Sequence, residues 1–229
     1  MRPASLSLLV AGMLACSGPT DNPGPGGSGG SGGGGADSGY CGELTDALTT
    51  GSGTPAVALT PLATTDVAGS ACGAVESSFP IDGALHTDAC SELSYGTNPP
   101  SSGTHYGSWP AFKVYDAAVP RGFLVHAMEH GAVVIGYSCT DCDDERDAAR
   151  ALVADLGPDP LCCADPSCTG ATTRLILAPD PRLDTAWAAA AWGVTLVGDC
   201  FEPDVFRAFV EAHRGRGPEG VCAQGIDVD

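Results

Sequence analysis

The sequence predicts an α+β domain: a mixed sheet with helices packed on one face, joined to an irregular N-terminal arm pinned by disulfides. Three observations carry that prediction. Residues 132–178 run through strand, helix and strand patterns in turn, residues 203–214 carry a further helical pattern, and ten of the eleven cysteines lie beyond residue 16.

Taken in order, residues 1–15 read as a secretory signal, with Arg2 followed by an apolar stretch from Leu6 to Leu14 that is too short to span a bilayer. Met13, Leu14, Ala15 and Cys16 resemble the lipobox of bacterial lipoproteins. That resemblance implies cleavage before Cys16 and diacylation of its thiol, so the expected partner is a membrane, reached through a lipid anchor. Ser17 after the cysteine implies, on the same resemblance, a cell-envelope position at the outer membrane. Residues 16–39 are then a tether, because a stretch of almost only Gly, Ser, Pro, Asn and Asp cannot bury enough apolar surface to offset its ordering entropy. Its random-coil reach is about 25 to 30 Å.

Residues 40–100 show no sustained helical period and form the expected arm, with short strands and with Cys41, Cys72 and Cys90 tying it to the rest. The core domain is residues 101–229. Within it, Phe112 and Val114 alternate with Lys113 and Tyr115 as in a half-buried strand. Ala127, Met128 and Glu129 favour helix and Gly131 ends it, so residues 126–130 are expected to form one helical turn feeding the next strand. The apolar run Ala132 to Tyr137 suits a central strand. Asp143–Leu156 places Ala148, Ala149, Leu152, Val153 and Leu156 on one helical face, with acidic residues in the first turn and Gly157 and Pro158 closing it. Thr173–Ala178 follows as a strand pairing in parallel with 132–137 through a right-handed crossover. Residues 186–197 are read as one strand, and Pro203–Arg214 as a helix with Pro203 at its start and Gly215 past its end.

Composition excludes several classes. With 28 acidic and 10 basic side chains the formal net charge is −18, so no basic surface is available for nucleic acid or for an anionic leaflet. The ten cysteines after Cys16 are an even number in a chain expected to leave the cytosol, which permits five disulfides. Adjacent Cys162 and Cys163 are expected to reach different partners.

The chemistry concentrates at His126, Ala127, Met128, Glu129 and His130, an HxxEH string. On a helix, residues i, i+3 and i+4 share a face, so His126, Glu129 and His130 converge on one cation. In an extended chain His126, Met128 and His130 line up instead, a softer set that favours copper. The helix formers favour the first set. The string resembles the zinc helix of inverzincin peptidases, but Pro120, Gly122 and Gly131 leave about two turns, and no later acidic helix offers a third ligand.

A wider resemblance covers about half the chain. Pro99 to Tyr106, then His126 to Gly131 as HxxEHG, then Ala191, Trp192 and Gly193, then Gly217, Pro218 and Glu219 resemble, in that order, the bacterial family 3105 of the domains of unknown function. The resemblance implies an exported or membrane-tethered α+β domain, and it implies no activity. Its motif histidines fall at His105, His126 and His130. The candidate metal ligands are therefore His105, His126, Glu129 and His130, an open site suited to zinc or copper in a metal-binding or accessory module. The same side chains can instead form a buried hydrogen-bonded network with Tyr106 and Trp109. His86 and His213 carry weaker signals, His213 falling in a last helical turn where a cation favours the dipole.

A rival reading is redox. Cys139 and Cys142 form a CxxC between a strand and a helix, the local order of a thioredoxin-like site, and the alternative is a structural disulfide or a link to Cys162, Cys163 or Cys168. Asp141, Asp143, Asp144 and Glu145 crowd the pair with negative charge, which disfavours a thiolate. The acidic run lacks the glycine and terminal glutamate of an EF-hand loop.

Overall fold

Strand β5, Val133–Tyr137, is buried along its whole length, and the fold is built around it. The structure, a computed structural model, describes Cys41, residues 57–164 and residues 170–229. The signal, Cys16, the tether and Cys168 lie outside the described residues.

Six strands form the main sheet: β1 Ala63–Asp66, β2 Val75–Ser78, β5, β6 Leu175–Pro179, β7 Trp187–Ala191 and β8 Val194–Gly198, in the order β1-β2-β8-β7-β5-β6. β5 pairs in parallel with β6 and antiparallel with β7, so the sheet is mixed. A separate two-stranded parallel sheet joins β3, His86–Thr87, to β4, His105–Tyr106. The helices are α1 Arg121–Glu129, α2 Asp143–Leu156 and α3 Pro203–His213. None of the described helices is long and apolar enough to cross a membrane.

Side chains alternate across β5, and each set meets a different layer. Val133, Ile135 and Tyr137 join Ala149, Leu152 and Val153 of α2 and Phe206, Phe209 and Val210 of α3 in one core. Val134 joins Phe123, Leu124, Ala127 and Met128 of α1 in the other. Helices α2 and α3 thus share one face of the sheet, while α1 covers the opposite face. The continuous apolar run of β5 demands that second cover, because a strand buried on both sides has no polar face to offer water.

Three local readings change. The segment expected as one strand over 186–197 is the hairpin β7–β8, turning at Trp192–Gly193. Four consecutive alanines with low strand propensity hid the register, and complete burial of Trp187–Ala191 overrides that propensity. The segment around Phe112–Tyr115 makes a single parallel bridge, Val114 to Leu177, along the outer edge of β6. The arm is more than an arm, since β2 pairs with β8 and carries β1 to the sheet edge. Disulfides Cys41–Cys90, Cys72–Cys200 and Cys162–Cys222 fasten distant segments, and Cys139–Cys142 closes a local loop.

Helix α1 positions the site. Pro120 precedes it, and its C-terminal end is a Schellman turn in which Gly131 N–H donates to the Met128 carbonyl and Ala132 N–H to the Ala127 carbonyl, each at 2.9 Å. Gly131 adopts φ +86°, and a Cβ there would lie 2.9 Å from Gly215 Cα. Glycine is required on both counts. The motif glycine therefore fixes where the helix stops and where β5 begins.

Candidate metal centre

The apolar residues of α1 face the sheet, which leaves His126 and Glu129, three positions apart, on the flank against β4. β4 brings His105, and its parallel partner β3 brings His86 into register beside it. One donor atom from each of His86, His105, His126 and Glu129 lies within 4.8 Å of every other. His105 Nε2 is 3.1 Å from Glu129 Oε2, and His86 Nε2 is 3.5 Å from the same oxygen. Donors around a tetrahedral zinc are about 3.3 Å apart, given bonds of about 2.0 Å.

Hydrogen bonding fixes which ring nitrogen carries the proton. His105 Nδ1 lies 2.9 Å from the Gly103 carbonyl oxygen, and His126 Nδ1 lies 2.6 Å from that of Tyr106. A carbonyl can only accept, so both Nδ1 atoms donate, and in a neutral ring Nε2 is left with a bare lone pair. For His105 that lone pair faces the Glu129 carboxylate, acceptor against acceptor, inside a site where His105 and Glu129 are almost wholly buried. Only a cation between them, a metal ion or a proton, makes that contact favourable. Backbone carbonyls that hold the outer nitrogen of a metal-binding histidine have this geometry.

His130 is placed differently. Its Nε2 is 2.8 Å from His126 Nε2 and donates to the lone pair there, a contact that metal binding at the same nitrogen would displace. Its buried Nδ1 then has no hydrogen bond, although Glu219 Oε2 stands 3.4 Å away at ion-pair distance. Burial, then neighbouring imidazoles, holds His126 down to about 4, and burial lowers His130 despite the opposing pull of Glu219 and Glu129. The His126 ring is thus neutral at pH 7, as a metal ligand must be. Trp109 packs 4.2 Å from the His130 ring and 5.2 Å from that of His126.

Of the four ligands expected from sequence, His105, His126 and Glu129 meet, and His130 borders them through His126. His86, read from sequence as a weak signal, joins them. A two-residue strand offers no periodicity to mark it. Met128 is turned into the core beneath α1, so the softer set of an extended chain is not assembled. His213, in the last turn of α3, sits 3.3 Å from Glu76. Cys139 and Cys142 are bonded to each other at the opposite end of β5.

The other motif segments close around the same place. Gly193 N–H donates to the Ser101 carbonyl at 2.8 Å, and Trp192 stands edge-on to His105 with ring centres 6.2 Å apart. Glu219 N–H donates to the Glu129 carbonyl at 3.0 Å. Gly217 lies so close over the end of α1 that a Cβ would collide with the Met128 and Glu129 carbonyls. Arg174, paired with Asp159 at 2.7 Å, gives a further hydrogen bond to the His130 carbonyl at 3.1 Å.

Fold and site together define an α+β domain with a buried imidazole and carboxylate cluster at the end of a sheet-covering helix. Residues 86–225 match the family described as Protein of unknown function (DUF3105), and the chain belongs to that family. The matched span contains all four clustered side chains. Neither the curated proteins nor the solved structures include a significant match.

Proposed function

We propose that this domain binds one divalent transition-metal ion through His86, His105, His126 and Glu129, as the folded part of an exported lipoprotein of the cell envelope. Its lipid anchor would be Cys16, with residues 16–39 as the leash and the outer membrane as its destination. The observation that carries the metal reading is His105 Nε2 held 3.1 Å from the Glu129 carboxylate while its Nδ1 donates to the Gly103 carbonyl, an arrangement a bound cation satisfies. Three imidazoles and one carboxylate, with no thiolate or thioether among them, favour zinc over Cu(I) and leave Cu(II) as the competitor.

Elemental analysis of protein purified without added metal tests this, together with zinc and copper titrations of the stripped protein. The expected result is one zinc per chain, lost in His126→Ala. Failure to take up either metal sinks the reading. In its place stands the hydrogen-bonded network, favoured by the 2.8 Å His126–His130 contact. That network predicts that the same substitution lowers the melting temperature and changes nothing else.

A further inference from the structure

Resting on that metal reading, we propose that His86 is the exchangeable ligand, so that the centre takes up and surrenders its ion through His86 rather than holding it permanently. The four donors are held unequally. The His105 side chain is 0% exposed and that of Glu129 7%, whereas the His86 side chain is 53% exposed. His105 and His126 are braced by carbonyls on their outer nitrogens. Withdrawing either of them, or Glu129, means lifting α1 or β4 out of a packed core.

His86 has no such brace among the hydrogen bonds of the described residues. Its ring lies nearly flat on His126, with centres 4.7 Å apart and planes 21° from parallel, and forms the solvent side of the cluster. Trp109 and Trp192 stand against the other imidazoles. Backbone bonds on either side, from His105 N–H to the Leu85 carbonyl at 2.9 Å and from Gly107 N–H to that of Thr87 at 3.2 Å, fix the His86 main chain. The ring can therefore swing into water by side-chain rotation alone, without unfolding β3. The ion is then left on His105, His126 and Glu129 with one position open to water or to an incoming donor such as an imidazole or thiolate of a partner. Metal passes when the incoming donor bonds as His86 stays away, with no change of oxidation state.

Stopped-flow transfer of zinc from the loaded protein to a chromogenic chelator reads this step directly. In the wild type the rate levels off at high chelator concentration, because opening of His86 becomes limiting. His86→Ala still binds one zinc, but its transfer is at least tenfold faster and rises linearly with chelator, the position being always open. Cobalt-loaded His86→Ala also changes its visible spectrum on adding imidazole, while the loaded wild type does not. A plateau at the wild-type rate in His86→Ala overturns the proposal. So does complete loss of zinc from that variant, which makes His86 a ligand like the others. Wild-type protein that binds no zinc fails one step earlier, at the metal reading itself.

Discussion

At the scale of single residues, the decisive contact is between His105 Nε2 and Glu129 Oε2, 3.1 Å apart, two acceptors when the ring is neutral and the carboxylate ionised. Glu129→Gln replaces one acceptor with an amide that can donate. The metal-free variant is expected to be more stable than wild type by about 1 kcal/mol, while losing most of its zinc affinity. Thermal melts in chelator and zinc titrations of the same preparation check both signs. A variant that is less stable without metal shows that a proton on His105 already fills the gap. His126 makes a pH prediction. Its ring is held down to about 4 from an ordinary 6.5, so between those values the unfolded chain binds a proton that the folded one refuses. Stability of the stripped protein therefore falls as pH is lowered from about 6.5 towards 4 and loses nothing further through this group below that. The melting temperature of His126→Asn should show a shallower dependence over the same window. Legibility at this scale followed spacing: His126 and Glu129 declare themselves through helical periodicity, and His105 came with the family motif. His86 did not, because its place depends on a parallel pairing across 19 residues that no local pattern encodes.

Among elements, α1 carries the greatest functional weight, and the Schellman turn fixes its end. Gly131→Ala forces a side chain into φ +86° and against Gly215, and should cost about 2 kcal/mol or more, read as a shift in the denaturant midpoint. The unit β5, α2 and β6 was legible in outline because its periods are strong: Leu152 and Val153 on one face of α2, unbroken apolar character in β5. The hairpin at Trp192–Gly193 was not, since Ala188 to Ala191 alternate nothing and a two-residue turn within an apolar run leaves little trace. The helix layer on the second face of the sheet was missed for a related reason. Only nine residues form α1, and a short helix between Pro120 and Gly131 does not announce what it covers.

For the molecule as a whole, the cross-links set the order of fragility. Cys72–Cys200 spans 128 positions and Cys139–Cys142 only 3. Loop-closure entropy assigns about 5 kcal/mol to the first and about 2 to the second. Replacing Cys72 and Cys200 by serine should lower the melting temperature considerably more than replacing Cys139 and Cys142, and scanning calorimetry of the two double variants decides it. Near-equal losses would mean that the local bridge does more than close its own loop. A net charge of −18 leaves the surface attractive to cations and unwelcoming to phosphates.

The centre also draws on both ends of the folded region. His86 arrives from its front, while Gly217 and Glu219 come from within the last 13 residues of a 229-residue chain, on a segment fastened by Cys162–Cys222. The complete pocket therefore forms only once residues 217–219 have docked on the end of α1. For a domain exported unfolded, as an exported lipoprotein would be, the proposed ion would then be acquired after export and not carried across the membrane.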